Sequence, residues 1–376
     1  MPTTRPRLTD VVDLLHSWYP PSTADSWDAV GLVAGDPQAE VAKVMFAVDP
    51  TIEVAREAVD WGADLLVVHH PLFLTPVHSV AATTPKGRTL HTLTSAGCAL
   101  LTAHTNADQA LDGVSDALAR ALGLGGLSPI RPASGRRLDK LVTFVPLAQA
   151  EAVRAALATA GAGAIGDYDS CSFSTPGEGR FRPLEGAAPA IGDVGSLEVV
   201  PEVRVEVVLP RARRAAVVRA LVEAHPYEEP AFDVLELADT GQSATGTGRI
   251  GTIAATTLGD FAAKVASALP ETAHGVRVAG DPDRGIRRVA VCGGAGDFLL
   301  DELAGADVDA YVTSDLRHHR AGEFVEQDGP ALLDVAHWAA EWTWLPVVEA
   351  KLLAALGDTV STRVSTRCTD PWRFRA

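Results

Sequence analysis

Two adjacent histidines, His69 and His70, follow a short apolar run and precede Pro71 in the segment DLLVVHHPLF (64–73). A run of this length suits a strand covered on both faces. In open α/β sheets, ligands collect at the carboxyl ends of such strands. Neighbouring side chains on a strand point to opposite faces. Both imidazoles therefore reach one pocket only where the chain turns out of the strand, as Pro71 allows. If they then reach different points in that pocket, two metal ions suit the pair better than one. The alternative is one structural histidine and one exposed one.

Two further segments repeat the pattern. LLTAHTNADQALD (100–112) places His104 and Asp108 in the loop leaving an apolar strand. Imidazole with carboxylate is a good donor set for zinc, iron or manganese; the alternative is that Thr105, Asn106 and Asp108 cap a turn. LLDVAHWAAEW (332–342) puts His337 and Glu341 at i and i+4, on one face if a helix opens at 337. Chance placement on an amphipathic helix is the competing reading. Together, three strand ends deliver His69, His70, Asp108, His337 and Glu341 to what should be one rim of one sheet. Five nitrogen and oxygen donors without cysteine exceed an ordinary zinc site. A bridging carboxylate holds two ions about 3.5–4 Å apart in two-metal hydrolytic centres.

Other residues carry weaker signals. Asp28 and Asn106 could orient ligands or a bound water, although Asp28 also suits a turn. Asp315 and His319 could line the pocket, or His319 could belong to a solvated helix face. CGGAGD (292–297) could place backbone N–H groups against a phosphate, but a tight turn fits its spacing better. HPYEEP (225–230) reads as a ligand loop or a turn. His16, His78, His91 and His274 receive no role.

The elements that must position these residues alternate. A helix is expected over 8–18 with Thr9 as cap, then strand 41–49, helix 51–61 stopped by Gly62, and strand 64–68. Helix 85–96, strand 98–103 and helix 113–122 follow. Strands resume at 249, 287–292, 309–313 and 330–335, with helices over 259–268, 297–304, 318–326 and 337–356. Between these flanks, 141–161 and 205–225 share a layout of strand, proline and helix, and 231–237 closes a β-α-β-β-α-β order, that of a ferredoxin-like sandwich. Gly/Ser-rich stretches at 123–137 and 239–248 read as linkers. The economical fold class is α/β: one domain from 1–127 and 246–376, interrupted by an α+β insert at 138–240, with linkers at 128–137 and 241–245. Three domains in series are the alternative.

Composition narrows the function. Of 376 residues, 47% are hydrophobic and 21% charged, which excludes a disordered chain. A formal charge of −16 without a Lys/Arg run argues against nucleic acid and an anionic membrane face as partners. Four well-separated cysteines (Cys98, Cys171, Cys292, Cys368) argue against a disulfide framework and fit a reducing cytoplasm. The N-terminal stretch has no signal-like apolar segment, and no apolar run approaches the ~18 residues of a membrane span. The expected protein is soluble and cytoplasmic.

WDAVGLVAGD (27–36), VVHHPL (67–72), AHTNAD (103–108), VTSDLRHH (312–319) and DVAHWAAEW (334–342), taken as an ordered set, resemble the Nif-three-like family. Its dinuclear-metal hexameric proteins are often labelled GTP cyclohydrolase 1 type 2 homologs. GAIGDYDSCSFST (163–175) and AHPYEEPAFDV (224–234) are similar to the PII/CutA-like insert of its longer members. The resemblance implies two divalent ions on His69, His70, Asp108, His337 and Glu341, with Glu341 as the bridge. It also implies a ring-shaped homohexamer in the cytoplasm. Zinc is the foremost cation, with iron, manganese or nickel also accepted by such donors. Departures at Ala29, Ser314 and Trp338 touch none of these ligands but bear on the pocket wall.

The expected function is metal-dependent hydrolysis by an activated water, with His104 or His319 moving the proton. By the family label the substrate would be GTP, opened at its imidazole ring with loss of formate. A phosphoester or another cyclic C–N bond suits the same centre. The alternative is a non-catalytic, metal-binding regulatory hexamer whose insert senses a small ligand.

Overall fold

The computed structural model describes residues 5–133, 137–238 and 243–376, and the fold is mixed α/β with several sheets. The chain divides into two compact units, Met1–Ala133 with Ser243–Ala376, and Ser134–Gln242.

The first unit holds two main sheets. One has five strands in the order Gly31–Ala34, Ala99–Thr102, Leu65–Val68, Lys43–Ala47 and Ser361–Val364, parallel except at the Gly31–Ala34 edge. The other has six: Val276–Ala279, Ala331–Val335, Ala310–Ser314, Gly285–Ala295, Arg249–Thr257 and Gly125–Ser128. Its three middle neighbours, Ala331–Val335, Ala310–Ser314 and Gly285–Ala295, run parallel.

Alternation along the strands explains how the sheets are buried. Leu65 and Val67 enter a core shared with Val289, Val312 and Leu333 of the six-stranded sheet, while Leu66 and Val68 enter a separate cluster with Val54, Ala58 and Leu93. Helices Val114–Ala121, His337–Trp342 and Leu345–Leu356 contribute to the shared core. Local chemistry sets the helix ends. The Thr51 side chain accepts from the Val54 N–H at the start of Ile52–Trp61, and Gly62 closes that helix at φ +76°.

Four expectations are corrected here. The three ligand-bearing strand ends belong to two sheets rather than one, because Leu65–Val68 and Ala99–Thr102 lie in the first and Ala331–Val335 in the second. Asp108 stands on a short helix, Thr105–Gln109, rather than in a loop. Thr9 lies inside the first helix, Leu8–Trp18, whose Arg7 N–H donates to Asp10 Oδ2 at 2.8 Å instead. The stretches read as linkers contain strands: Gly125–Ser128 joins the six-stranded sheet, and Arg131–Pro132 pairs with Gly246–Thr247. Glycine content suggested coil there, and the pairing partners are distant in sequence. Residues 134–136 and 239–242 of those stretches lie outside the described residues.

The second unit is a four-stranded antiparallel sheet in the order Phe232–Glu236, Leu138–Pro146, Glu198–Pro210, Ser172–Phe181. Helices Ala150–Thr159 and Arg214–Ala224 supply Val153, Leu157, Val217 and Leu221 to a core with Leu141, Val145, Val205 and Leu209. Asp139 binds both Arg211 and Arg214 (3.0 and 2.7 Å) and fixes the start of the second helix.

Candidate metal centre

The strand Leu65–Val68 ends where the N–H groups of His69 and His70 both donate to the Val48 carbonyl (3.1 and 2.9 Å). This shared acceptor turns the chain out of the sheet. The two rings, which alternation would separate, stand with centroids 5.0 Å apart. From the other sheet, the strand Ala331–Val335 runs into helix His337–Trp342, which carries His337 and Glu341 on one face.

All five residues read from the sequence as ligands converge. Glu341 is the hub: its Oε1 lies 3.4 Å from His69 Nε2 and 2.8 Å from His337 Nε2, and its Oε2 lies 3.2 Å from His70 Nε2. Asp108 Oδ1 is 3.7 Å from His69 Nε2. His104 joins them, with its ring 5.0 Å from His69 and 5.5 Å from His70. Ligand atoms of His69, His70 and His104 lie within 4.8 Å of one another, as do those of His70, His337 and Glu341.

Every histidine of the cluster is anchored through Nδ1. His69 Nδ1 meets the Ala103 carbonyl (2.9 Å), His70 Nδ1 meets Asp49 (2.7 Å), His104 Nδ1 meets Asp28 (2.8 Å) and His337 Nδ1 meets Asp315 (2.6 Å). A carbonyl or carboxylate oxygen only accepts, so each Nδ1 carries the hydrogen. In the neutral ring the Nε2 lone pair is then left for the cluster. Metal-ligating histidines are oriented in this way by a carboxylate or carbonyl on the far nitrogen.

Electrostatics follow from burying this group. Burial opposes charge on His69 and His70, but Glu341 beside them wins: His69 is raised above the usual histidine range, and His70 reaches about 10. The Glu341 charge likewise lifts His337 to about 11. Burial would raise Glu341, yet His337, His70 and His69 hold it well below the usual carboxylate range. Burial raises Asp108 to about 6 and lowers His104 to about 4. Without a cation, then, His70 and His337 carry protons on Nε2 at neutral pH.

Orphaned atoms test whether a metal fits. Among the described residues, the buried side-chain atoms without a hydrogen-bond partner include His69 Nε2, Asp108 Oδ1 and Glu341 Oε2. Leaving such atoms unsatisfied is costly. All three belong to the convergent set and are chemically suited to a divalent cation.

The remaining expectations divide. Asp28 does orient a cluster histidine, His104, and also accepts from the Thr105 N–H. Asn106 accepts from the His104 N–H and donates to the Tyr19 carbonyl, so it braces the backbone. Asp315 borders the cavity and holds His337. His319 is exposed on helix His318–Val325 with its ring against His318, and the described contacts bring it to none of the cluster residues. CGGAGD does not form a simple tight turn. Strand Gly285–Ala295 runs through its first four residues, and Gly294 at φ +70° abuts the cluster.

Sequence reasoning missed Asp49, the acceptor for His70, and His274, which bonds to Asp334 (3.1 Å) and lines the adjoining cavity. That cavity, about 270 Å³, opens on His70 and His337 and is bounded by Trp338 and Trp372. The sequence offered a signal only for Asp49, an acidic residue at the carboxyl end of the strand beside Leu65–Val68.

Known proteins share this arrangement of sequence and fold. The sequence profile of Duf34/NIF3 (NGG1p interacting factor 3) matches residues 6–371. A Mycobacterium tuberculosis protein named "GTP cyclohydrolase 1 type 2 homolog" is 53% identical over 370 residues, covering 98% of this chain and 97% of its own length. A Bacillus subtilis protein of the same name is 37% identical over 368 residues, with 97% of each chain covered. The crystal structure of a Bacillus cereus protein related to NIF3 superposes with a TM-score of 0.74 at 36% identity, covering 99% of this chain and 100% of that one. A Staphylococcus aureus structure gives a TM-score of 0.80 at 29% identity, with 99% of each chain covered. With the profile spanning nearly the whole chain and these relatives matching end to end, the chain belongs to the Duf34/NIF3 family.

Proposed function

We propose that the chain binds two divalent cations, zinc foremost, and is a metal-dependent hydrolase acting on GTP or a related nucleotide. The metal reading is carried by one observation. Three histidines, His69, His70 and His337, each fixed through Nδ1, surround a buried glutamate whose two oxygens face different histidines. In this reading His69, His70, Asp108, His337 and Glu341 would hold the cations, with Glu341 as the bridge. The nucleotide is suggested by the names of the Mycobacterium and Bacillus relatives.

Bound, a cation pair supplies Lewis acidity and lowers the pKa of water toward neutrality. The chain supplies the rest. Asp49 and Asp315 hold His70 and His337 in the tautomer that presents Nε2. His104 is tied to Asp28 through Nδ1, so its Nε2 is the atom it would offer for moving a proton. Trp338 and Trp372 offer flat apolar walls beside His70 and His337, where a planar ring could lie. The second unit we read as a ferredoxin-like, PII/CutA-like inserted domain, from its strand order and its two strand-proline-helix pieces. Assembly as a homohexamer and a cytoplasmic location complete the proposal. The described cysteines are free, and among the described residues no helix is long and apolar enough to cross a membrane.

The test is metal content and turnover on the same preparation. Purified protein should hold about two equivalents of transition metal and release formate from GTP. His70→Ala should lose about one equivalent, and its turnover should fall by at least ~100-fold. Protein without tightly held metal, or His70→Ala with unchanged turnover, would refute this reading. Full metal content without turnover on GTP, other nucleotides or generic phosphoesters would favour the regulatory alternative.

A further inference from the structure

The second unit contains a cavity of about 690 Å³. It forms where the sheet lacks side chains to fill it. Gly177 pairs with Glu202, and Gly179 with Val200, across strands Ser172–Phe181 and Glu198–Pro210. Two glycines two residues apart thus leave one stretch of sheet bare on the face that Glu202 shares. Val203, Val205 and Val207, on the opposite face, pack under the helices. A Cβ at Gly179 would lie 2.3 Å from the Glu202 carboxylate, so this glycine is what admits the carboxylate.

Glu202 is 9% exposed, although it is a charged residue on the helix-free side of the sheet. Its Oε1 accepts from the Tyr227 hydroxyl at 2.7 Å. Glu202 lines the cavity, and its Oε2 has no partner among the described hydrogen bonds. Aromatic rings line the same cavity: Tyr227 packs edge-on against Phe181 (centroids 5.5 Å), and Phe144 is a further lining residue. Leu184 and Ile191, from the segment after Phe181, add apolar lining. The charged lining is Glu178, Glu202, Glu228 and Glu229 against Arg180 and Arg182, and Arg180 is already paired with Glu178 at 2.7 Å.

A deeply placed carboxylate with a vacant acceptor, an excess of negative charge and facing aromatic rings make up the chemistry of ammonium recognition. We propose that this cavity binds a small organic amine in its protonated form. The ammonium rests on Glu202 Oε2 against Tyr227 and Phe181, and an apolar body lies toward Leu184 and Ile191. HPYEEP, which supplies Tyr227 and Glu228, is then a ligand loop rather than only a turn. The proposal uses none of the residues of the metal cluster and stands independently of the hydrolase reading.

Calorimetric titration of the full-length protein with phenethylamine, phenethyl alcohol and phenylacetate at pH 7.5 tests it, since the three differ chiefly in the charge of the head group. The ammonium should bind, the alcohol at least ~10-fold more weakly, and the anion not measurably. Glu202→Gln keeps the size of the side chain and an acceptor for Tyr227. It should weaken phenethylamine binding by roughly 10- to 100-fold, the range expected for losing a charged hydrogen-bond partner. Ile191→Trp fills the apolar side with Glu202 intact and should also abolish binding, which covers the case in which the glutamine variant is poorly folded. Three results each overturn the proposal: no phenethylamine binding to the wild type, equal binding of amine and alcohol, or unchanged affinity in Glu202→Gln.

Discussion

At the scale of single residues, proton and cation compete for the same atoms. Glu341 draws protons onto His70 and His337, lifting them to about 10 and 11, and it raises His69 against the effect of burial. His70 and His337 are therefore charged at neutral pH in the metal-free protein, and each must give up its Nε2 proton when a cation arrives. The sign follows. Lowering the pH favours the protonated rings and weakens metal affinity; raising it strengthens binding until the rings are neutral. Zinc titrated into chelated protein at pH 7 in buffers of different ionisation enthalpy should release at least one proton per ion. Affinity should climb by about tenfold per pH unit for each proton displaced. Uptake without proton release would mean that the cation sits elsewhere.

At the scale of elements, the centre depends on backbone approaching side chains. Strand Gly285–Ala295 brings Gly294 against helix His337–Trp342, where a Cβ would lie 2.7 Å from Glu341 Oε1 and 3.3 Å from His337 Nε2. Gly294 is also at φ +70°, a conformation that costs an L-residue roughly 1–2 kcal/mol. Gly294→Ala should therefore displace the Glu341 carboxylate and reduce bound metal by about one equivalent or more. Gly285→Ala, at a position with open space around it, should change nothing. Full metal content in Gly294→Ala would show that Glu341 is not the bridge. Such relations explain what the sequence made legible. His69 and His70 could be read because an apolar run, its end and Pro71 are contiguous, and His337 with Glu341 because helix spacing alone aligns them. Asp49 and Asp315 anchor histidines 21 and 22 residues away, so their pairing with particular rings leaves no local pattern, although each stands near a strand end. The division into two sheets was hidden for the same reason: a buried parallel strand reads alike in either.

At the scale of the whole chain, the cluster joins two sheets that the backbone connects only through long paths. His69, His70 and Asp108 follow strands of the five-stranded sheet, and His337 and Glu341 follow a strand of the six-stranded one. An unfolded chain cannot assemble such a set, so cation binding adds directly to stability, by about 4 kcal/mol at a free concentration 1,000 times the dissociation constant. Metal-free protein should accordingly lose stability where the sheets meet. Hydrogen exchange before and after chelation should show faster exchange around 65–72, 103–110 and 331–344, with protection over 138–236 unchanged. The second unit serves as the internal control, because its core of Leu141, Val145, Val205 and Leu209 contains no residue of the cluster. Equal loss of protection in both units would point to general destabilisation by the chelator. Unchanged exchange at all of these segments would mean that the convergent histidines and acids hold the two sheets together without a cation.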